Sequence, residues 1–229
     1  MLEQILEFIS SESSIALLGV IVGSLIIIIR DAWVSFCTRK SERSYAAIRL
    51  IAILNEYADK CVDVVQDDGT SHGQPAGRTS DGQEYYVAQT SLPEPLDYPE
   101  DISWRSLPQG LMHRVLALSS KARFTNRDIE KIYEFVADFP EYEEFFKARQ
   151  KGYAILGLSS LKISAELEKY EPRDRDKTVI EDNWNLGDVF HRKLDDFKKD
   201  EDAQAKLKKE RAESGDDPFF QFGDRDVTK

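Results

Sequence analysis

Apolar residues fall along this chain in two ways, first as an unbroken block and then as stripes. The block is SSIALLGVIVGSLIIII, Ser13 to Ile29, with no charge between Glu12 and Arg30. At ~1.5 Å of rise per residue it spans roughly 25 Å, the short end of what crosses a bilayer. Its last four residues are all isoleucine, which leaves no polar face for a soluble helix to turn toward water. Ahead of it, MLEQILEFISSE sets Leu2, Ile5, Leu6 and Ile9 at helical spacing among acids. Residues 1–12 therefore read as a short amphipathic lead-in on the outer interface, or as the first turns of the spanning helix.

The stripes begin once the block ends. Between Ser44 and Val65, Ala47, Ile51, Leu54, Ala58, Cys61 and Val65 recur at alternating steps of four and three, with Ile48 and Leu50 widening the seam. No Gly or Pro interrupts it, so residues 31–66 are expected to form a juxtamembrane helix continuing into a bundle. The pattern then lapses over QDDGTSHGQPAGRTSDGQE, a flexible loop by composition, followed by Tyr85-Tyr86-Val87 as a brief extended piece. Pro93, Pro95 and Pro99 hold the next stretch extended, a strap anchored by Leu96, Tyr98 and Trp104 that completes residues 67–103. Three further stripes make up a helical bundle over 104–170. Ser106 is expected to cap a helix with Pro108 in its first turn and Leu107, Leu111, Val115 and Leu118 on one face. Thr125 and Asp128 approximate a capping box for a second, carrying Ile129, Ile132, Tyr133, Val136 and Phe139. Pro140 ends that helix and opens the longest one, from about Glu141 to Tyr170. Its seam of Tyr142, Phe146, Tyr153, Leu156, Ile163, Leu167 and Tyr170 is interrupted by Arg149 and Ser160, and Gly152 and Gly157 suggest a close crossing. Trp104, Phe135, Phe139, Phe146 and Tyr153 are expected in the core. Residues 171–200 hold a linker and an amphipathic helix with Leu186, Phe190, Leu194 and Phe197 in line. Residues 201–229 form a charged tail, exposed helix or disorder, with a phenylalanine-rich end.

The fold class is thus mainly α: one N-terminal transmembrane helix over 13–30, a cytoplasmic bundle of about four helices, and a partly disordered tail. Orientation comes from charge. Glu3, Glu7 and Glu12 precede the block, whereas Arg30, Arg39, Lys40 and Arg43 follow it, which places the N-terminus outside and the bundle in the cytoplasm. In a bacterium that membrane is the inner one. Trp33 and Phe36 suit the headgroup layer. The start is not basic and no small-x-small exit follows, so the block is expected to be an uncleaved anchor. A formal net charge of -11 argues against nucleic acid as a partner. The basic juxtamembrane cluster is accounted for by topology and by attraction to anionic lipid heads. Cys37 and Cys61, the two cysteines, suit reduced cytoplasmic thiols.

Candidate chemistry is sparse. There is no phosphate loop, no dinucleotide fingerprint and no zinc spacing of Cys or His, so no cofactor or metal is expected. Ser159-x-x-Lys162 lacks the companion motifs of serine-lysine acyl enzymes, and His191 with Asp188 and Asp195 is what an Asp-rich helix contains by chance. His72 and His113 have no evident partner, and Glu143 with Glu144 reads as a solvated face. The expected function is a single-pass, membrane-anchored helical protein that recruits or regulates a cytoplasmic protein without catalysis of its own. The alternatives are a membrane-tethered hydrolase built from scattered carboxylates and His113, or a self-associating envelope or phage protein. Two elements bear on partners. Ala16, Gly19 and Gly23 place small residues on one face of the anchor, which favours a homodimer in lipid. Phe219, Phe220 and Phe222 follow the charged tail as a docking element flanked by acids.

Overall fold

The computed structural model describes residues 12–171 and 178–214; residues 1–11 of the lead-in, 172–177 of the linker and the tail phenylalanines Phe219, Phe220 and Phe222 lie outside them. Helix dominates. The order is α1 (Glu12–Gln66), a β-hairpin of β1 (Gly77–Arg78) and β2 (Glu84–Tyr85), α2 (Gln109–Phe135), α3 (Glu143–Leu167) and α4 (Thr178–Ser214). Short 3-10 turns at Trp104–Ser106 and Glu168–Tyr170 lead into α2 and out of α3.

α1 unites the apolar block with the first stripe, because nothing after Gly23 breaks its hydrogen-bond ladder. From Val20 to Phe36 its large apolar side chains are exposed, and the chain buries none of that stretch. From Ala46 the same helix becomes core. Ala47, Ile51, Leu54, Ala58, Cys61 and Val65 are buried as one seam, and Ala46, Leu50, Tyr57 and Val64 form a second beside it. Ile48, expected to widen the seam, points outward instead.

α3 is the hub, running antiparallel to the other three helices. Ser160 Oγ donates to the Leu54 carbonyl of α1 at 2.8 Å, and Ser164 Oγ meets Asn55 Oδ1 at 2.8 Å. The serine that interrupted the stripe is thus a buried cross-tie. Gly157 sits under Phe190 of α4, where a Cβ would come within 2.2 Å of the ring, and Gly152 sits under Thr125 of α2. The close crossings foreseen at these glycines are therefore present. The strap packs Leu96 and Ile102 into the core, its Tyr98 hydroxyl donates to the Val115 carbonyl at 2.7 Å, and Trp104 is half-buried edge-on to Tyr98.

Three expectations fail. The stripes at 107–118 and 129–139 belong to one helix, not two, because RFTNRD contains neither Gly nor Pro and Thr125 is occupied in packing on Gly152. Ser106 does not cap it: Pro108 is the N-cap, and Ser106 Oγ donates to the Ser103 carbonyl within the preceding turn. That helix ends at Phe135, five residues before Pro140, and α3 starts at Glu143 with Tyr142 before it in the left-handed region at φ 52°. As a result Phe135 and Phe139 are not core residues at all; they are 80% and 60% exposed. Phe146 and Tyr153 are buried as expected. The charged run after Phe197 continues α4 as far as Ser214 and is exposed through Glu210.

Candidate interaction surface at the bundle tip

The two ends of the bundle differ. At one, Arg43 stacks over Tyr170 and α1 leaves toward its apolar half. At the other, the α2–α3 connection meets the loop that follows α1, and this end carries the exposed aromatics.

Its foundation is a buried ion pair. Asp67 follows α1, and its carboxylate accepts from the backbone N–H groups of Gly69, Gln89 and Thr90, each at 3.0 Å. Arg149 of α3 adds Nη2 at 2.8 Å and donates from the same nitrogen to the Thr90 carbonyl. Gln150 Nε2 donates to the Asp67 carbonyl. The two charged side chains are 4% and 1% exposed, so the pair closes both ends of the 67–90 loop away from water. Burial lowers the Arg149 pKa and Asp67 opposes that, which leaves a guanidinium still charged at any ordinary pH. Above this pair the hairpin aligns Gly77 with Tyr85 and Arg78 with Glu84. The Tyr86 N–H then donates to the Pro140 carbonyl at 3.4 Å, joining the hairpin side to the α2–α3 connection.

The connection itself is aromatic. Tyr142 stacks on Tyr133 with centroids 5.5 Å apart and takes Phe139 edge-on at 5.9 Å, while Tyr133 leans on Phe145 at 5.0 Å. A left-handed backbone at a tyrosine is unfavourable, and this stack offsets it. Phe135 and Val136 beside the stack, and Phe139 at its edge, face solvent. Phe139 also closes a cavity of about 520 Å³ against Thr79, Asp81 and Tyr85 of the hairpin. Around these rings the chain is acidic: residues 130–144 contain six carboxylates (Glu130, Glu134, Asp138, Glu141, Glu143, Glu144) and one lysine, Lys131. Aromatic faces and carboxylates attract the same groups, guanidinium and ammonium.

The other residues singled out earlier lie away from this tip. His113 is exposed on α2, next to Arg114, which pairs with Glu166. Ser159 Oγ donates to the Ile155 carbonyl within its own helix at 2.7 Å, and Lys162 is exposed. His191 and Asp188 border a groove of about 370 Å³ with Lys162 and Asn55. Among the described residues no group of three or more His, Cys, Asp or Glu is placed to hold a metal. Ala16, Gly19 and Gly23 all lie within α1, and nothing comes within 4 Å of a Cβ built on Gly23. Its stripe assigns Phe139 to the core, and Phe135 is expected there with it; the signal that could have found both is the acid flanking each in EFVADFPEYEE. No family model, curated protein or solved structure matches this chain.

Proposed function

We propose that this chain is a membrane-anchored helical module whose far tip captures a basic segment of a cytoplasmic protein. The observation that carries it is the set of exposed rings at Phe135 and Phe139, ringed by carboxylates and held on the end of the bundle opposite the apolar half of α1. Solvent-facing aromatics clustered on one surface are a liability unless something covers them, and rings of this kind dominate the energetics of many interfaces. The acidic rim selects an Arg- or Lys-rich partner and speeds its approach. It also disfavours the chain's own C-terminal phenylalanines as occupants, since Asp216, Asp217, Asp224 and Asp226 flank them. Anchoring is supported by the exposed stretch Val20 to Phe36, which no part of the bundle covers, and by the cations that follow it. α1 also runs unbroken from that stretch into the core, as an uncleaved anchor requires.

The test is site-specific photocrosslinking in native membranes from position 139, with Leu207 on α4 as an equally exposed control position. Adducts from 139 alone should identify a protein whose crosslinked segment is basic. With that protein purified, Phe135→Ser with Phe139→Ser should weaken binding by about tenfold or more while the melting temperature stays put, both rings being exposed. Equal adducts from 139 and 207, or undiminished binding by the double variant, overturns the proposal.

A further inference from the structure

The other end of the bundle carries a second charged surface, of opposite sign. α1 leaves the bundle at Ser44, and the 3-10 turn Glu168–Tyr170 lies beside its exit. The corner between them is a cleft of about 760 Å³. Arg39 and Arg43 line it from one face of α1, four residues apart, with Lys40 beside them, and Lys169 lines it from the turn. Four cations meet one carboxylate, Glu171, in a chain whose net charge is -11.

The cations are arranged in two ways. Arg43 is fixed: its Nε donates to the Ser106 carbonyl at 2.6 Å and its guanidinium lies 5.4 Å over the Tyr170 ring. Arg39, Lys40 and Lys169 are exposed; among the described residues none stands in an ion pair within 4.0 Å, and Lys169 feels only a minor Coulombic attraction from Glu166, whose main partner is Arg114. One oriented guanidinium with three reaching side chains suits a compact anion with several oxygens, above all a phosphate. Height along α1 narrows the choice. Below the cleft the helix exposes Phe36, Trp33 and then the isoleucines, so an anion seated here has an apolar surface leading away from it. Trp33 and Phe36 suit the interfacial layer, and the next turn stands level with or just above lipid phosphates.

We infer that this juxtamembrane cleft is a binding site for the phosphate headgroup of an anionic glycerophospholipid, whose acyl chains run down α1 past Phe36. Free phosphate shares the headgroup chemistry and lacks the chains, which is where the two sources part. The inference rests on the membrane-anchored reading of α1. It does not depend on what the far tip captures.

The experiment uses the full chain in detergent micelles, titrated with phosphatidylglycerol or phosphatidylcholine and read by native mass spectrometry. Wild type should retain phosphatidylglycerol about tenfold or more tightly than phosphatidylcholine. The triple variant Arg39→Gln, Lys40→Gln, Lys169→Gln should lose that preference and keep its melting temperature; Arg43 is left in place because it also ties α1 to Ser106 and Tyr170. A control triple with the same charge change on α2, Lys121→Gln, Arg123→Gln and Lys131→Gln, should keep the preference. Equal retention of the two lipids, an unaffected cleft variant, or the same loss from the control triple overturns the site. Displacement of phosphatidylglycerol by submillimolar inorganic phosphate would assign the cleft to a free anion and likewise overturn the lipid. Resistance of the full chain to alkaline carbonate extraction is measured alongside. A chain that washes off membranes refutes the anchor, whereas a resistant chain without lipid preference refutes the cleft alone.

Discussion

At the scale of single residues the structure depends most on groups hidden from water. Arg149 and Asp67 are the costliest of these, because each is buried only by virtue of the other. Arg149→Met would leave a carboxylate with three backbone donors and no countercharge. The expected loss is about 3–5 kcal/mol in chemical denaturation, with partial recovery when Asp67→Asn is added. A second hidden group makes the fold alkali-sensitive. Burial pushes the Cys61 thiol well above its ordinary range, with a smaller opposing effect from Tyr57. The folded chain therefore keeps that proton at pH values where the unfolded chain has begun to lose it. Stability is full below the unfolded thiol's pKa and falls above it, by up to about 1.4 kcal/mol per pH unit for one group. Tyr57, Tyr98 and Tyr153, whose phenols burial also pushes up, add to the loss at higher pH. Melting temperature should decline from about pH 8.5, the ordinary thiol pKa. In Cys61→Ala the decline should start closer to the tyrosine range, and a coincident onset in both would contradict this account.

Between elements the tightest fit is α4 on α3. The Phe190 ring is fully buried on Gly157, so even a methyl group there has no space to enter. Gly157→Ala should lift α4 from the bundle, seen as faster proteolysis between residues 186 and 210 with α1–α3 still protected. Unchanged cleavage would mean that the ring can move aside. These element contacts also show what can be read from residues alone. A buried stripe repeats at helical spacing whatever it packs against, so the helical class and most seams were legible. Helix ends were legible only where backbone chemistry marks them sharply, as after Gln66; near Pro108 the expected start falls two residues early, at Ser106. Nothing local marks Thr125 as the middle of a helix, because its partner is Gly152 on another helix. Asp67 and Arg149 are 82 residues apart, and each alone looks like an ordinary surface charge. Val136 and Phe139 continue the stripe of Ile129 and Ile132 after the bundle beneath them has ended, and spacing cannot report where the neighbours stop.

For the whole molecule the proposed anchoring makes one matter testable, which side of the membrane the bundle occupies. Cys37 is exposed on α1 just past the apolar stretch and Cys61 is sealed in the core, so one thiol reports. A membrane-impermeant maleimide should label the chain only after cells are permeabilised, and Cys37→Ser should abolish the signal. Labelling of intact cells would reverse the proposed orientation. The uninterrupted course of α1 has one more effect. From Arg30 to Gln66 it extends about 54 Å at ~1.5 Å per residue. Salt screens charge over only about 8 Å in physiological solution. An anionic bilayer and an acidic tip would repel each other at close range, yet several screening lengths separate them. On the roles proposed for them, the two ends are therefore electrostatically deaf to one another: lipid composition would alter what the cleft holds without changing how strongly the tip draws a cation.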